Sequence, residues 1–435
     1  MKSIQYLLIA TIVLVQLSCS TSQNSLFSAK RSAHEKYSDG ITDAGLRQTQ
    51  LGTAWFAAAG KSLGQPVSVS LPYKESGYFA AEKPAAAGYL FSAKRGEKIV
   101  VNVQPKPAAG AMVFAELWSV TGAAQRSFLT AIDSTTRQLQ YAVEKDGQFI
   151  LRLQPELLRT VEYTVTISVT GSLAFPVQRS GDPKIISTWG VDRDGGKRSH
   201  EGIDIAAKFR TPALAGADGY VSRVNENALG GKVVFISDAN TGYSLYYAHL
   251  DSQMVRSGQR VKAGDVVGLV GKTGNAINTV PHLHFGIYTN GGAIDPLAFV
   301  DNRRTEPKPV TASLSPLNQW MRTNAVASVF ETPSAKSTIV VKTGKADALL
   351  VIAATENWYK VELPNGQPGY VNSSAVTDKN TAKQKITTDT RLLETPGENA
   401  VAKAAIAKGT ELEVFGNYNG FYYTEVNGLK GWVKK

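Results

Sequence analysis

The sequence predicts a mainly β, multidomain protein, and three observations carry that expectation. Runs such as V-S-V-S-L (67–71) and Y-T-V-T-I-S-V (163–169) alternate apolar and polar residues with the period of two of half-buried strands. Long helical heptads are almost absent, while 39 glycines supply turns between short strands. A chain of 435 residues is too long for one hydrophobic core and divides into three or four domains. Its 43% hydrophobic content is that of ordinary globular protein.

From the N-terminus, Lys2 precedes an apolar run over 4–17, broken only by Gln5, Thr11 and Gln16. This has the charge and length of a secretory signal and is too short to span a bilayer as a helix. Cys19 follows directly in L-S-C-S. That word resembles the lipobox of bacterial lipoproteins, in which the cysteine is lipidated and becomes the mature N-terminus. Leu17 stands two residues before Cys19, where the usual pattern has leucine at three. Cys19 is the only cysteine, so no intramolecular disulfide can form in an oxidising compartment. Residues 1–19 therefore read as a lipoprotein-type signal and 20–63 as a polar tether with a helical stretch near 44–59. His34, in the polar A-H-E-K segment, has no evident partner and is expected to be exposed.

Residues 64–172 read as a β-sandwich. G-Y-L-F-S-A-K-R-G-E-K-I-V-V-N-V (88–103) and L-Q-Y-A-V-E-K-D-G-Q-F-I-L-R-L-Q-P (139–155) alternate between Gly- and Pro-marked turns. The words around Gly96, Asp146-Gly147 and Tyr163 resemble pre-peptidase C-terminal domains, which accompany secreted peptidases; a spacer or positioning role is the plain expectation.

Four of the five histidines fall between His200 and His284. Imidazole and carboxylate are ligands that zinc favours, and a catalytic zinc keeps three protein ligands and one open position. His200 and Asp204 are four residues apart and His282 and His284 two apart, so on extended strands each pair projects from one face. Ile203 and Ile205 alternate with Asp204, and Leu283 and Phe285 with the two histidines, as half-buried strands require. H-E-G-I-D departs from the helical H-E-x-x-H motif only at its last residue. Gly202, the β-branched Ile203 and Ile205, and the lack of a capping box favour strand, which leaves Glu201 a solvated carboxylate rather than a general base. The glycine-rich run 264–274 contains G-K-T, but Val266 stands where a P-loop needs its first glycine, so tight turns explain it.

H-x-x-x-D, a distant histidine and then H-x-H resemble the M23 (LytM-type, lysostaphin-like) zinc peptidases that cut peptidoglycan. S-T-W-G (187–190), Y-A-H-L (247–250) and P-H-L-H-F-G-I-Y (281–288) stand where that family has similar words. The resemblance covers 176–302. It implies Zn²⁺ held by His200, Asp204 and His284, with His249 and His282 left for proton transfer and transition-state stabilisation.

A charged, proline-bearing linker follows (303–317), then an internal repeat. V-F-E-T-P-S-A (329–335) recurs as L-L-E-T-P-G-E (392–398), and W-Y-K-V-E-L-P-N-G-Q-P-G-Y-V (358–371) as F-Y-Y-T-E-V-N-G-L-K-G-W-V (421–433), about 63 residues on. Such self-similarity means two copies of one fold, at 318–377 and 381–435. Both resemble bacterial SH3 domains, small β-barrels closed by a G-W/Y-V strand. Their aromatics (Trp358, Tyr359, Tyr370, Phe421, Tyr422, Tyr423, Trp432) are divided between barrel core and a groove for cross-bridge peptide.

The fold expected is thus a β-sandwich, a LytM-type β-rich peptidase domain and tandem SH3-like barrels. The function expected is an exported, lipid-anchored zinc endopeptidase facing the periplasm or cell wall, with peptidoglycan as partner. The alternative is a LytM-type protein that activates a separate wall amidase without catalysis of its own. A net charge of +11 suits an anionic polymer or membrane face. Export and the lack of any nucleic-acid motif exclude nucleic acid as the partner.

Overall fold

The computed structural model describes residues 31–435 apart from 108–109, 111, 123–124, 194, 303–305 and 380–381. The signal segment and Cys19 lie outside the described residues. Strands dominate, in five sheets, and no helix among the described residues is long and apolar enough to cross a membrane.

The segment expected as a tether carries two helices. Ala33–Asp43 is capped by Ser32, whose side chain accepts from the Glu35 amide, and Gln50–Gly64 by Thr49, which accepts from Gly52. Each helix lays one face on the sandwich: His34, Tyr37 and Ile41 recur at helical spacing, as do Trp55, Ala59 and Ser62. The expectation that His34 is exposed is therefore corrected. Its ring is buried, stacked 4.8 Å from Trp55, with Nε2 2.7 Å from Gln154 Oε1. Trp55 donates its indole N–H to the Pro155 carbonyl at 2.9 Å. A polar-looking stretch docks here because a buried pair, Arg152 and Glu116, together with Gln154, supplies partners from the strands that it covers.

The sandwich has one sheet in the order Val67–Ser68, Ala87–Ala93, Gly147–Pro155, Val113–Thr121, Gln125–Ala131. The facing sheet runs Tyr73–Phe79, Val161–Gly171, Glu97–Lys106, Gln138–Ala142. Val161, Tyr163, Val165 and Ile167 point into the core, where they meet Ile99, Val101, Leu117 and Leu151 from both sheets.

The free edge of the second sheet is not free. Tyr73–Phe79 pairs with Ala348–Thr355 of the first repeat through Ser76↔Ala354 and Gly77↔Ala353, so sandwich and repeat share one sheet of 11 strands. Thr355 Oγ1 donates to the Lys74 carbonyl at 2.7 Å across the same seam. Beneath it lies Glu75, wholly buried, which accepts hydrogen bonds from the hydroxyls of Tyr89 at 2.6 Å, Tyr73 at 2.7 Å and Tyr163 at 2.9 Å. From the repeat, Lys360 brings its ammonium 5.4 Å from the Tyr89 ring. The linker is packed too, since Val310, Ala312 and Leu317 join the core of the first repeat.

The two repeats share one topology. Strand Gln319–Thr323 corresponds to Ala382–Lys385, Ala348–Thr355 to Glu411–Tyr418 and Trp358–Glu362 to Phe421–Val426, each starting 63 residues later. The closing contact Phe330↔Tyr370 recurs as Leu393↔Trp432. The copies also pack on each other: Trp320 lies 5.2 Å from Tyr423 and 5.4 Å from Trp432. Of the seven aromatics singled out, Tyr359, Tyr370, Phe421, Tyr423 and Trp432 are buried, which leaves Trp358 and Tyr422 partly exposed.

Burial, and next the Glu75 carboxylate, hold the Tyr73, Tyr89, Tyr163 and Tyr370 hydroxyls well above the usual 10.0. The raised folded pKa means that the folded state keeps these protons; their contribution to stability is complete below pH 10 and is lost as pH rises through the folded values. In an alkaline titration these tyrosines should ionise only together with loss of tertiary structure, read by tyrosinate absorbance against near-ultraviolet circular dichroism. Ionisation of all tyrosines near pH 10 with the fold intact would refute the buried cluster.

Candidate metal centre

Four of the five candidate residues, Asp204, His249, His282 and His284, sit on one sheet in the order Lys184–Ser187, Ile203–Ala206, His282–Thr289, Ser244–Gln253, Gly231–Asp238, Gly219–Asn227, Arg260–Val261. In the antiparallel pairing of Ile203–Ala206 with His282–Thr289, Asp204 is directly opposite His284 and Ala206 opposite His282. Ile203, Ile205, Leu283 and Phe285 alternate with them and are fully buried on the other face. The polar residues are thereby carried onto the open face of the sheet.

His200 is not on that strand, contrary to the reading of 200–204 as one extended unit. The strand begins at Ile203, and His200 is held by the S-T-W-G loop: its amide donates to Val191 and its carbonyl accepts from Gly190, both at 2.9 Å. Gly202 makes the bend. A Cβ there would lie 2.7 Å from His284 Cε1 and 2.6 Å from the Phe285 carbonyl oxygen, so no side chain fits between the two histidine-bearing segments.

The result is a tight triangle. His200 Nε2 lies 3.1 Å from Asp204 Oδ1 and 3.0 Å from His284 Nδ1, and His284 Nδ1 lies 3.0 Å from Asp204 Oδ1. Zinc bonds of about 2.0–2.1 Å in a tetrahedron place neighbouring ligand atoms roughly 3.3 Å apart. The three atoms therefore fit a single small cation with little movement, and the donor set, two imidazoles and one carboxylate, suits zinc. His200 Nδ1–H donates to the Thr188 carbonyl at 2.8 Å, which fixes the tautomer and turns Nε2 inward. Burial alone would raise the Asp204 carboxyl, but hydrogen bonds and charge from His200 and His284 outweigh it and hold the group well below the carboxylate range. Burial is also the first cause that lowers His284, against the opposing pull of Asp204.

His249 and His282 stand beside the triangle rather than in it. Their rings are 5.0 Å apart, and His282 Nε2 is 3.9 Å from Asp204 Oδ1. The Nδ1–H of His249 donates to Thr273 at 2.9 Å and that of His282 to Val280 at 2.8 Å, so both rings offer Nε2 to the cleft. His249 is lowered to about 4, first by burial and then by His282.

His249 reaches this place through a bulge. Between Lys232↔Leu250 and Val234↔Tyr247 the register shifts, and His249 has φ of 60°. Tyr247 and Leu250 are both in the core, which strict alternation would forbid for residues three apart. The extra residue returns Leu250 to the core and turns His249 to the cleft. It does not cap a strand end, since its strand runs on to Gln253.

The cleft above has a volume of about 850 Å³ and is lined by Tyr246 and Tyr288 and by Arg193, Arg198 and Ser199 of the Asp192–Arg193/Arg198–Ser199 hairpin. Glu201 is exposed and accepts from the Tyr288 hydroxyl at 3.3 Å, on the rim rather than among the ligands. The glycine-rich run forms turns, with Gly264 at φ of 92° and Gly274 at 68°. Sequence reasoning missed Thr188, Thr273 and Arg193, which act through carbonyls or through a loop arginine that no spacing rule marks.

Since a Cβ at Gly202 must push His284 or Phe285 aside, Gly202→Ala should weaken zinc retention during dialysis by about 10-fold or more, in the range of outer-shell changes. Zinc stoichiometry by plasma emission checks this, and unchanged retention would mean that the ligand segments move apart freely.

Residues 198–296 match the profile of Peptidase family M23, and residues 324–378 that of the bacterial SH3 domain. Over 130 residues the chain is 38% identical to the L-Ala--D-Glu endopeptidase of Bacillus subtilis, 28% of this chain and 40% of that protein. Over 94 residues it is 39% identical to the peptidoglycan DD-endopeptidase ShyC of Vibrio cholerae, 22% and 21% of the two chains. Over 120 residues it is 35% identical to the murein hydrolase activator NlpD of Escherichia coli, 28% and 30% of the two chains. The chain thus spans 40% or less of the length of these relatives. The chain contains a peptidase M23 domain, within which His200, Asp204, His249, His282 and His284 all fall, and a bacterial SH3 domain.

Proposed function

We propose that this protein is a zinc metalloendopeptidase that hydrolyses peptide bonds in peptidoglycan stems or cross-bridges. The observation that carries the proposal is the convergence of His200 Nε2, Asp204 Oδ1 and His284 Nδ1 to 3.0–3.1 Å, with two further imidazoles beside them. Held by these three side chains, zinc supplies Lewis-acid polarisation of a carbonyl and acidification of water towards pKa ~7. His249 and His282, oriented through Nδ1, take and return the proton and stabilise negative charge on the scissile carbonyl oxygen. No side chain forms a covalent intermediate in this scheme. The relative named as a murein hydrolase activator favours a second reading, in which the domain activates another wall enzyme. Intact ligands and accessory histidines support the enzyme. Export and lipidation at Cys19 belong to the same proposal and place the catalytic domain at the wall from a membrane anchor.

Purified protein incubated with sacculi should release peptide fragments identifiable by mass spectrometry, and stoichiometric zinc with no fragments would favour the activator. His284→Ala and Asp204→Ala should lose both zinc and activity. His249→Ala and His282→Ala should keep zinc while kcat falls by about 10²- to 10⁴-fold, as for a lost general acid or base. Loss of zinc from His282→Ala but not from His284→Ala would reverse the H-x-H roles.

Acyl chains contribute about 0.8 kcal/mol per buried CH₂, so an anchored chain partitions with membranes. Cys19→Ser should shift the protein from the membrane to the soluble fraction on immunoblots, and an unchanged distribution would exclude the lipid anchor.

A further inference from the structure

Arg193 contacts the triangle from outside it. Its guanidinium donates to Asp204 Oδ2 at 2.6 Å and to Ser187 Oγ at 2.8 Å. Ser187 Oγ in turn lies 3.3 Å from His200 Nδ1. Arg193 therefore holds Asp204 directly, through the carboxylate oxygen that is not in the triangle, and approaches His200 only by way of Ser187. Arg193 is one-third exposed, whereas Asp204 is nearly buried, so the arginine reaches the carboxylate from the cleft wall. The hairpin that carries it, Asp192–Arg193 paired with Arg198–Ser199, ends at His200 itself.

We propose that Arg193 is a positioning residue that fixes Asp204 with Oδ1 toward His200 and His284, so that the carboxylate binds the cation through one oxygen. The role rests on the zinc reading above. A carboxylate on a short side chain can rotate about its last torsion to offer either oxygen, or both. Occupying Oδ2 with a planar donor removes that freedom before the cation arrives. The second hydrogen bond, from the same Nη2 to Ser187 Oγ, sets the plane of the guanidinium, which a rotating lysine ammonium lacks. Charge alone argues the other way: a cation beside a divalent ion repels it, so an electrostatic view predicts tighter metal binding when Arg193 is neutralised. Orientation and charge thus give opposite signs, which makes the role testable.

The test uses the full chain, zinc and Co²⁺. Zinc affinity by chelator competition should fall about 10- to 100-fold in Arg193→Gln, the range for an outer-shell partner. The visible spectrum of the Co²⁺ form should change as the carboxylate reorients, while thermal unfolding in chelator stays as in the wild type. Arg193→Lys should recover part of the affinity. Zinc affinity and Co²⁺ spectrum unchanged in Arg193→Gln, or tighter zinc binding, would overturn the positioning role. So would an affinity loss matched by a lower unfolding temperature in chelator, which would make Arg193 a structural residue only. Wild-type protein that binds neither metal would overturn the zinc reading itself, a different result from wild-type binding with an indifferent Arg193→Gln.

Discussion

The register between Ile203–Ala206 and His282–Thr289 is the constraint on which the site depends. Asp204 and His284 face each other because Ile203 meets Phe285 and Ile205 meets Leu283 on the opposite face. Four fully buried apolar side chains at roughly 1.5–3 kcal/mol each set that register far more firmly than any contact among the polar residues. A slip of one residue would send the isoleucines to the cleft and the ligands to the core. The polar triangle is in this sense a consequence of hydrophobic packing, and it is formed before any ligand has to hold it.

His249 is reached by the opposite means. Its strand satisfies the core twice, at Tyr247 and Leu250, and the bulge between them leaves a histidine at positive φ, a conformation that costs on the order of 1–3 kcal/mol. The amide of His249 donates to the Gly230 carbonyl at 2.7 Å and its ring to Thr273, so the strained residue is held from two sides. A regular strand would have placed either the histidine or Leu250 on the wrong face. Strain here has a geometric product, the second imidazole beside His282.

These two cases mark how far the sequence could be read. Period-two alternation is a property of neighbours in the chain, so the strands bearing Asp204 and the H-x-H pair were legible, and so were the histidine spacing and the 63-residue repeat. The bulge was not, because it depends on which residue of a partner strand is skipped. His200 was placed on a strand because spacing suggested one, and only the approach of His284 to Gly202 shows why the chain bends. His34 was misread for a related reason: its partners Gln154 and Arg152 lie more than a hundred residues away, and a polar helix face looks solvated until the strands beneath prove polar too. Arg193 belongs to the same class: no spacing rule marks it, and it becomes a partner of Asp204 only in three dimensions.

The shared sheet alters how the repeats can serve the peptidase M23 domain. Modules on a flexible linker gain avidity according to linker length, because each searches a volume around the other. Here the first repeat adds its strand to the sandwich, joins it by the Thr355 hydroxyl bond to Lys74 and brings the Lys360 ammonium to the Tyr89 ring, so the two pack as one frame. The sandwich in turn meets the peptidase M23 domain through backbone bonds from Gly171 to Asp301 and from Leu173 to Phe299. Any contact made by Trp358 or Tyr422 is then made at a position set by packing rather than by diffusion on a tether.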